Sequence, residues 1–140
     1  MNEFELIATW FDRPDHSRED VRLGMGDDGA LLVLAPGQEL VTASACISAV
    51  DPSSAQEADQ IASRCYAQAE SGLVKQQATP AWAILCLSLE QANRDWLQRF
   101  SATLRRCLQR RQVQLIGGDT TRGPTTVTLF LSGTRSRPTA

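Results

Sequence analysis

Ala81-Trp82-Ala83-Ile84-Leu85-Cys86-Leu87-Ser88-Leu89 is apolar on both of its alternating faces, with Trp82, Ile84 and Cys86 on one and Leu85, Leu87 and Leu89 on the other. A strand with one wet face alternates apolar with polar, so this run predicts a strand covered from both sides. Working outward, Gln91 to Arg111 is the clearest helix. Trp96, Leu97, Phe100, Leu104, Cys107 and Leu108 form one stripe, with Arg94, Arg105, Arg106 and Arg110 largely outside it. Those arginines read as a solvated face. Val113 to Ile116 follows as a short strand, leading into a loop Gly117-Gly118-Asp119-Thr120-Thr121-Arg122. Thr125 to Thr134 alternates and closes the fold as a last strand.

Upstream, Ile61, Ala62, Cys65 and Ala69 recur at helical spacing after the loop Asp51 to Ala55. Ser71 to Pro80 has the least pattern. Ala30 to Leu34 and Glu39 to Ile47 flank the turn signal Pro36-Gly37 and predict a hairpin. Phe4, Ile7, Ala8 and Phe11 predict a short N-terminal helix, and Arg13 to Asp20, with the lone His16, a solvated polar loop. The order α-β-β-α-β-α-β defines an α+β fold: a mixed, mostly antiparallel sheet with helices on one face. The bare face needs cover, and the two-sided apolar strand 81–89 suggests a second copy in a homodimer. Residues 1–134 read as one domain and 135–140 as a flexible tail.

Composition narrows the classes of function. The 140 residues are 42% hydrophobic, enough for a globular core, and carry a net charge of −2 from 14 basic and 16 acidic side chains. That balance gives no electrostatic reason to expect nucleic acid as a partner. No run of eighteen apolar residues crosses a membrane, and the start Met-Asn-Glu-Phe-Glu-Leu lacks the features of a signal peptide. Cys46, Cys65, Cys86 and Cys107 lie about twenty residues apart in apolar stretches with no C-x-x-C pair, which argues against zinc and a disulfide framework. They read as reduced core residues of a cytoplasmic protein.

Two segments carry chemistry. Gly26-Asp27-Asp28 sits in a glycine-rich turn, and Asp119 follows a glycine pair. Magnesium takes hard oxygen ligands, usually a few carboxylates plus phosphate oxygens. Glycines let a backbone approach a phosphate closely. Taken singly, Asp-Asp-Gly is an ordinary turn, and Gly-Gly-Asp-Thr fits a strand exit whose Asp bonds its own backbone.

In order, five blocks resemble the N-terminal half of the thiamine-monophosphate kinase family, within the aminoimidazole-ribonucleotide-synthetase-like ATP-binding superfamily. They are Glu3-Phe4-Glu5-Leu6-Ile7, Gly24-Met25-Gly26-Asp27-Asp28-Gly29-Ala30-Leu31-Leu32, Pro36-Gly37-Gln38-Glu39-Leu40-Val41-Thr42, Pro80-Ala81-Trp82-Ala83-Ile84-Leu85 and Gly117-Gly118-Asp119-Thr120-Thr121-Arg122. The resemblance implies a domain that pairs with a second copy so that the two sheets form a barrel. It implies ATP and Mg2+ as cofactors, with Asp27, Asp28 and Asp119 on the metals and Gly26, Gly117, Gly118, Thr120 and Arg122 at the nucleotide phosphates. The implied reaction moves the γ-phosphoryl group of ATP onto thiamine monophosphate, giving thiamine diphosphate. No catalytic residue is assigned.

The chain departs from the family's pattern at two acids. Ser44 stands where the family's T-D-T motif has Asp, and Gly72 where its N-L-S-D segment has Asp, with Gln76-Gln77-Ala78 at the following M-G-A. Asp51 and Glu70 are the acids nearest in sequence to take over. Phosphoryl transfer depends on metals that neutralise developing charge. The isolated chain is therefore expected not to phosphorylate thiamine monophosphate, and restoring acids at 44 and 72 to strengthen metal binding. The alternative is a non-catalytic dimerisation or partner-binding module that keeps only the fold.

Overall fold

Thr126 to Ser136 explains the architecture. Its odd residues Val127, Leu129 and Leu131 are fully buried, while Thr128, Phe130 and Ser132 turn to the other side. The computed structural model describes residues 18–24, 29–48, 50–91 and 93–138. The helix expected at Glu3 to Phe11 lies outside them, as do Gly26, Asp27 and Asp28. In chain order the elements are β1 (Val21–Leu23), β2 (Leu31–Leu32), β3 (Gln38–Ile47), α1 (Ala55–Lys75), β4 (Thr79–Leu89), α2 (Arg94–Arg110), β5 (Gln114–Arg122) and β6 (Thr126–Ser136).

The main sheet has the order β3-β6-β4-β5. β6 is antiparallel to both neighbours, and β4 and β5 are parallel, joined through α2. This is the mixed, mostly antiparallel sheet expected from sequence. Both helices lie on one face. α1 packs on β3 and β6 and against α2. Its buried stripe is Ala58, Ile61, Ala62, Cys65, Tyr66, Ala69 and Leu73. Small residues in that stripe bring the helix close to the sheet. A Cβ built on Gly72 would lie only 2.7 Å from that of Ala43. α2 contributes Trp96, Phe100 and Leu104, with the Trp96 and Phe100 rings stacked at 5.0 Å. Each fully buried leucine here is worth roughly 2 kcal/mol relative to exposure.

Local chemistry sets the helix ends. The Asn93 side chain accepts a hydrogen bond from the Trp96 N–H at 3.1 Å, an N-cap for α2. Both helices end alike. The Ala78 N–H donates to the Leu73 carbonyl and the Val113 N–H to that of Leu108, with Gln77 at φ 59° and Gln112 at φ 55°. These are Schellman turns built on glutamine where glycine is the usual residue.

Several expectations are corrected. Ala30–Leu34 and Glu39–Ile47 do not form a hairpin. Leu31 and Leu32 pair back with Leu23 and Val21 in a separate two-stranded arm, and β3 pairs with β6. The turn at Pro36-Gly37, with Gly37 at φ 80°, redirects the chain instead of folding it back. Within Ser71 to Pro80, the stretch with the least sequence pattern, α1 runs to Lys75 and β4 begins at Thr79. The segment 117–122 is not a loop but the body of β5. β6 runs to Ser136, and the Arg137 N–H donates to the Gly37 carbonyl at 2.7 Å.

The face away from the helices is covered only in part. The β1–β2 arm lays Val21 and Leu32 on a small cluster of Ala81, Trp82 and Ile116. So Trp82, 1% exposed, is covered from within the chain. The rest of that face leaves Leu40 (52%), Phe130 (40%) and Ile84 (36%) open. Two of the four cysteines also depart from expectation. Cys65 and Cys107 are buried, but Cys46 is exposed and Cys86 half-buried, because their positions in β3 and β4 fall on the open face.

Candidate functional site

β5 presents the glycine-acid segment along the edge of the sheet. Gly117 pairs with Ile84, Gly118 with Leu85, Asp119 with Cys86 and Thr120 with Leu87. A Cβ at Gly118 would overlap the carbonyl oxygen of Leu85, so only glycine permits the parallel pairing there. Next to it, Asp119 is exposed, and its Oδ1 accepts the Thr120 N–H at 2.9 Å. That local bond orients the carboxylate and leaves Oδ2 for a further partner such as a hard cation. Arg122 is exposed three residues on, at the end of the strand.

Ser44 and Gly72, where the resemblance implies acids, do not gather around Asp119. Ser44 lies on the open face in the row Ser44–Phe130–Ile84–Gly117, and Asp119 in the row Cys46–Thr128–Cys86–Asp119. Three strand spacings, about 14 Å, separate their strands. Gly72 is on α1, across the sheet from Ser44. Neither acid proposed as a replacement fills the gap. The Asp51 Oδ1 accepts from Ser53 N–H (3.0 Å) and Oγ (2.7 Å), bonds that lower its pKa before the start of α1. Glu70 lies in the helical layer, its Oε2 4.0 Å from the Arg111 guanidinium. It neighbours Tyr66, whose phenol is pushed up first by burial and then by that carboxylate. Among the described residues no three His, Cys, Asp or Glu side chains group to hold a metal.

One cluster was missed from sequence, because Arg13 to Asp20 read only as a polar loop. The Asp20 carboxylate accepts Arg18 Nε (3.0 Å) and Nη2 (2.9 Å), and its Oδ1 also accepts the indole N–H of Trp82 at 3.0 Å. Arg18 in turn donates from Nη1 to the Gln112 carbonyl (3.0 Å) and from its backbone N–H to Gln114 Oε1 (2.7 Å). Its guanidinium lies 5.7 Å from the Trp82 ring centroid. The Arg18 bonds hold the Asp20 carboxyl below its usual range; burial opposes them and the Trp82 bond adds to them. The tryptophan in this strand was the available signal, since a buried indole N–H needs an acceptor.

The fold and edge define an α+β domain that presents a glycine-acid segment within its edge strand β5. The family model described as AIR synthase related protein, N-terminal domain, matches residues 26–135, and the chain belongs to that family. It is 41% identical over 138 residues to the thiamine-monophosphate kinase of Escherichia coli K12, covering 94% of this chain and 41% of that protein. The crystal structure of thiamine-monophosphate kinase from Stenotrophomonas maltophilia K279a superposes with TM-score 0.79 at 33% identity, covering 97% of this chain and 43% of that one. AaThiL complexed with AMPPCP and TMP shares the fold with TM-score 0.64 at 16% identity, over 96% of this chain and 41% of that one. The chain thus corresponds to the N-terminal part of a thiamine-monophosphate-kinase-like protein and spans about two-fifths of the length of the curated relatives it matches.

Proposed function

We propose that this chain is the Mg-nucleotide-binding N-terminal unit of a cytoplasmic thiamine-monophosphate-kinase-like protein, binding weakly and without turnover in isolation. Asp119, with Asp27 and Asp28, would hold Mg2+, and Gly26, Gly117, Gly118, Thr120 and Arg122 would border the phosphates of ATP. The observation that carries this reading is the exposed Asp119 carboxylate beside a glycine that can bear no side chain. Its oxygen donors suit a hard cation. Bound magnesium would neutralise charge on the phosphoryl group passing from ATP to thiamine monophosphate. Support for nucleotide and substrate comes from AaThiL, which is complexed with AMPPCP and TMP. Ser44 and Gly72 in place of acids, far from Asp119, support the absence of turnover.

A second reading rests on the open face. The adjacent Ile84 and Phe130, with Leu40 further along the same face, are exposed apolar side chains that suit a second copy of the chain in a homodimer. The two readings are compatible, and the dimer alone is what a purely non-catalytic module would retain. Calorimetric titration of Mg-ATP into the pure chain, with Asp119→Asn and Asp27→Asn as controls, separates them. Saturable heat lost in both variants supports the nucleotide site, and no heat from the unaltered chain leaves the module alone.

A further inference from the structure

α2 and the Arg111 that follows it carry six arginines, no lysine and a single acid, Asp95, in a chain whose net charge is −2. Arg99, Arg106 and Arg110 share one line of the helix. At 3.6 residues per turn their directions fall within about 40° of one another, and all three are exposed. That line borders α1. Two carboxylates of α1, Asp59 and Glu70, already meet its ends. Asp59 accepts Arg99 Nη2 at 3.1 Å and the Thr103 hydroxyl at 3.1 Å, and the Glu70 Oε2 lies 4.0 Å from Arg111. The middle differs. Arg106 Nη2 donates to Thr103 Oγ1 at 3.0 Å and Arg110 Nη2 to the Cys107 sulfur at 3.8 Å, both neutral acceptors. Between Asp59 and Glu70, α1 has no acid. Tyr66 of that stretch is 6% exposed, and its hydroxyl completes no hydrogen bond. Glu70, Arg111 and Cys107 act on it, which places it at the same groove.

We propose that the Arg106–Arg110 stretch of the α1–α2 groove docks an acidic segment of a partner protein, whose carboxylates supply the charged acceptors that α1 supplies only at Asp59 and Glu70. Charge complementarity carries the proposal. A guanidinium presents its donors in a planar fork that matches a carboxylate, and a bond to a charged acceptor is roughly twice as strong as one to a neutral acceptor. The thiol and hydroxyl contacts of Arg110 and Arg106 are therefore readily exchanged for carboxylates. The spacing suits an extended chain. Residues four apart on a helix rise about 6 Å, and alternate residues of an extended segment repeat every 6.6–6.8 Å or so. Acids at alternate positions thus set one carboxylate on Arg106 and the next on Arg110. Arg99 lies about 10 Å further along, in an exposed pair with Asp59 that costs little to share. A membrane calls for charge spread over a plane, whereas this charge is a line flanked by two acids that repel a phosphate-dense surface. The groove lies in the helical layer and Asp119 on the opposite face of the sheet, so the proposal stands apart from the nucleotide reading.

The test titrates the full chain into a fluorescent peptide of alternating glutamate and glycine, read by anisotropy at about 0.15 M salt, where exposed charges more than about 8 Å apart are screened. Arg106→Gln/Arg110→Gln is expected to weaken binding by about tenfold or more, since two charge-assisted contacts go. The control is Arg64→Gln/Lys75→Gln. It removes the same charge from exposed positions of α1 turned about 140° from Asp59 and Glu70, and is expected to change affinity by less than about twofold. Arg106→Lys/Arg110→Lys keeps the charge without the fork and should fall between the two. No peptide binding at millimolar concentration, equal weakening in the control, or lysines that bind as tightly as the arginines would each overturn the proposal. So would tighter binding of tripolyphosphate or of phosphatidylserine vesicles through the same two arginines, which would make the groove a phosphate site. If the glutamine pair does not fold, Arg110→Gln alone, which gives up only the contact to Cys107, carries the comparison with an expected loss of about threefold.

Discussion

Aspartate at Gly72 supplies the acid that the resemblance implies there, yet the packing of α1 on β3 predicts that it unfolds more than it repairs. A Cβ at position 72 would lie 2.7 Å from the Ala43 Cβ. Two such carbons prefer about 3.5–4.0 Å, so roughly 1 Å of separation is missing. Both atoms are fixed to backbone, and the helix end or the strand has to move. Overpacking of this kind costs about 1–3 kcal/mol. Alanine would recover up to about 1 kcal/mol through its better helix propensity, but aspartate recovers less. Aspartate also brings a carboxylate toward the helix–sheet interface, adding about 1–3 kcal/mol if it finds no partner. Gly72→Asp is therefore expected to destabilise by about 2–4 kcal/mol, and Gly72→Ala by about 0–2 kcal/mol. For a domain of this size the first is a fall in Tm of about 7–14 °C. The specific control is Ala43→Gly, which removes the opposing methyl. In urea unfolding, the double variant Ala43→Gly/Gly72→Asp should be more stable than the two single changes sum to, by about 1 kcal/mol or more. Gly72→Asp as stable as the unaltered chain, with no coupling to position 43, would refute the packing argument. It would also reopen position 72 as a metal ligand.

Two further expectations follow from the described residues. Gln77→Gly and Gln112→Gly remove a side chain from the left-handed turns that end α1 and α2, and each should stabilise by about 0.5–1 kcal/mol in thermal unfolding; a loss of stability in both would mean that the glutamine side chains make compensating contacts. Thiol labelling at pH 8 should modify Cys46 and spare Cys65, whose thiol burial pushes up to about 11; if a second copy covers the open face, Cys46 labelling should also slow as protein concentration rises, and a rate independent of concentration would count against that dimer.

The long apolar periodicities were legible. Stripes at 61–69 and 96–108 announced two helices, and the run at 81–89, apolar on both faces, announced a strand, because burial pattern is written into side-chain type; Ile84 and Cys86 on one face are nonetheless covered only in part. Pairing partners were not. Leu31 and Leu32 read equally well with β3 as with β1, since two residues carry no register, and the Pro36-Gly37 turn signals a change of direction without saying which. The segment 117–122 looked like a loop because glycine and threonine suit turns. It is a strand because Gly118 can lie against the Leu85 carbonyl, a tertiary condition invisible along the chain. For the site, Asp119 could be named from its motif, while Asp20 could not. Its role depends on Trp82, sixty-two positions away, and no local pattern encodes that meeting.

The central claim is that Asp119 on the β5 edge still belongs to a metal-nucleotide site in this chain. Titration of Mg-ATP into the pure protein and into Asp119→Asn tests it most directly. The account predicts weak, saturable binding by the unaltered chain that requires magnesium and disappears in the variant. Binding of equal strength in Asp119→Asn, or none in either protein, would contradict it.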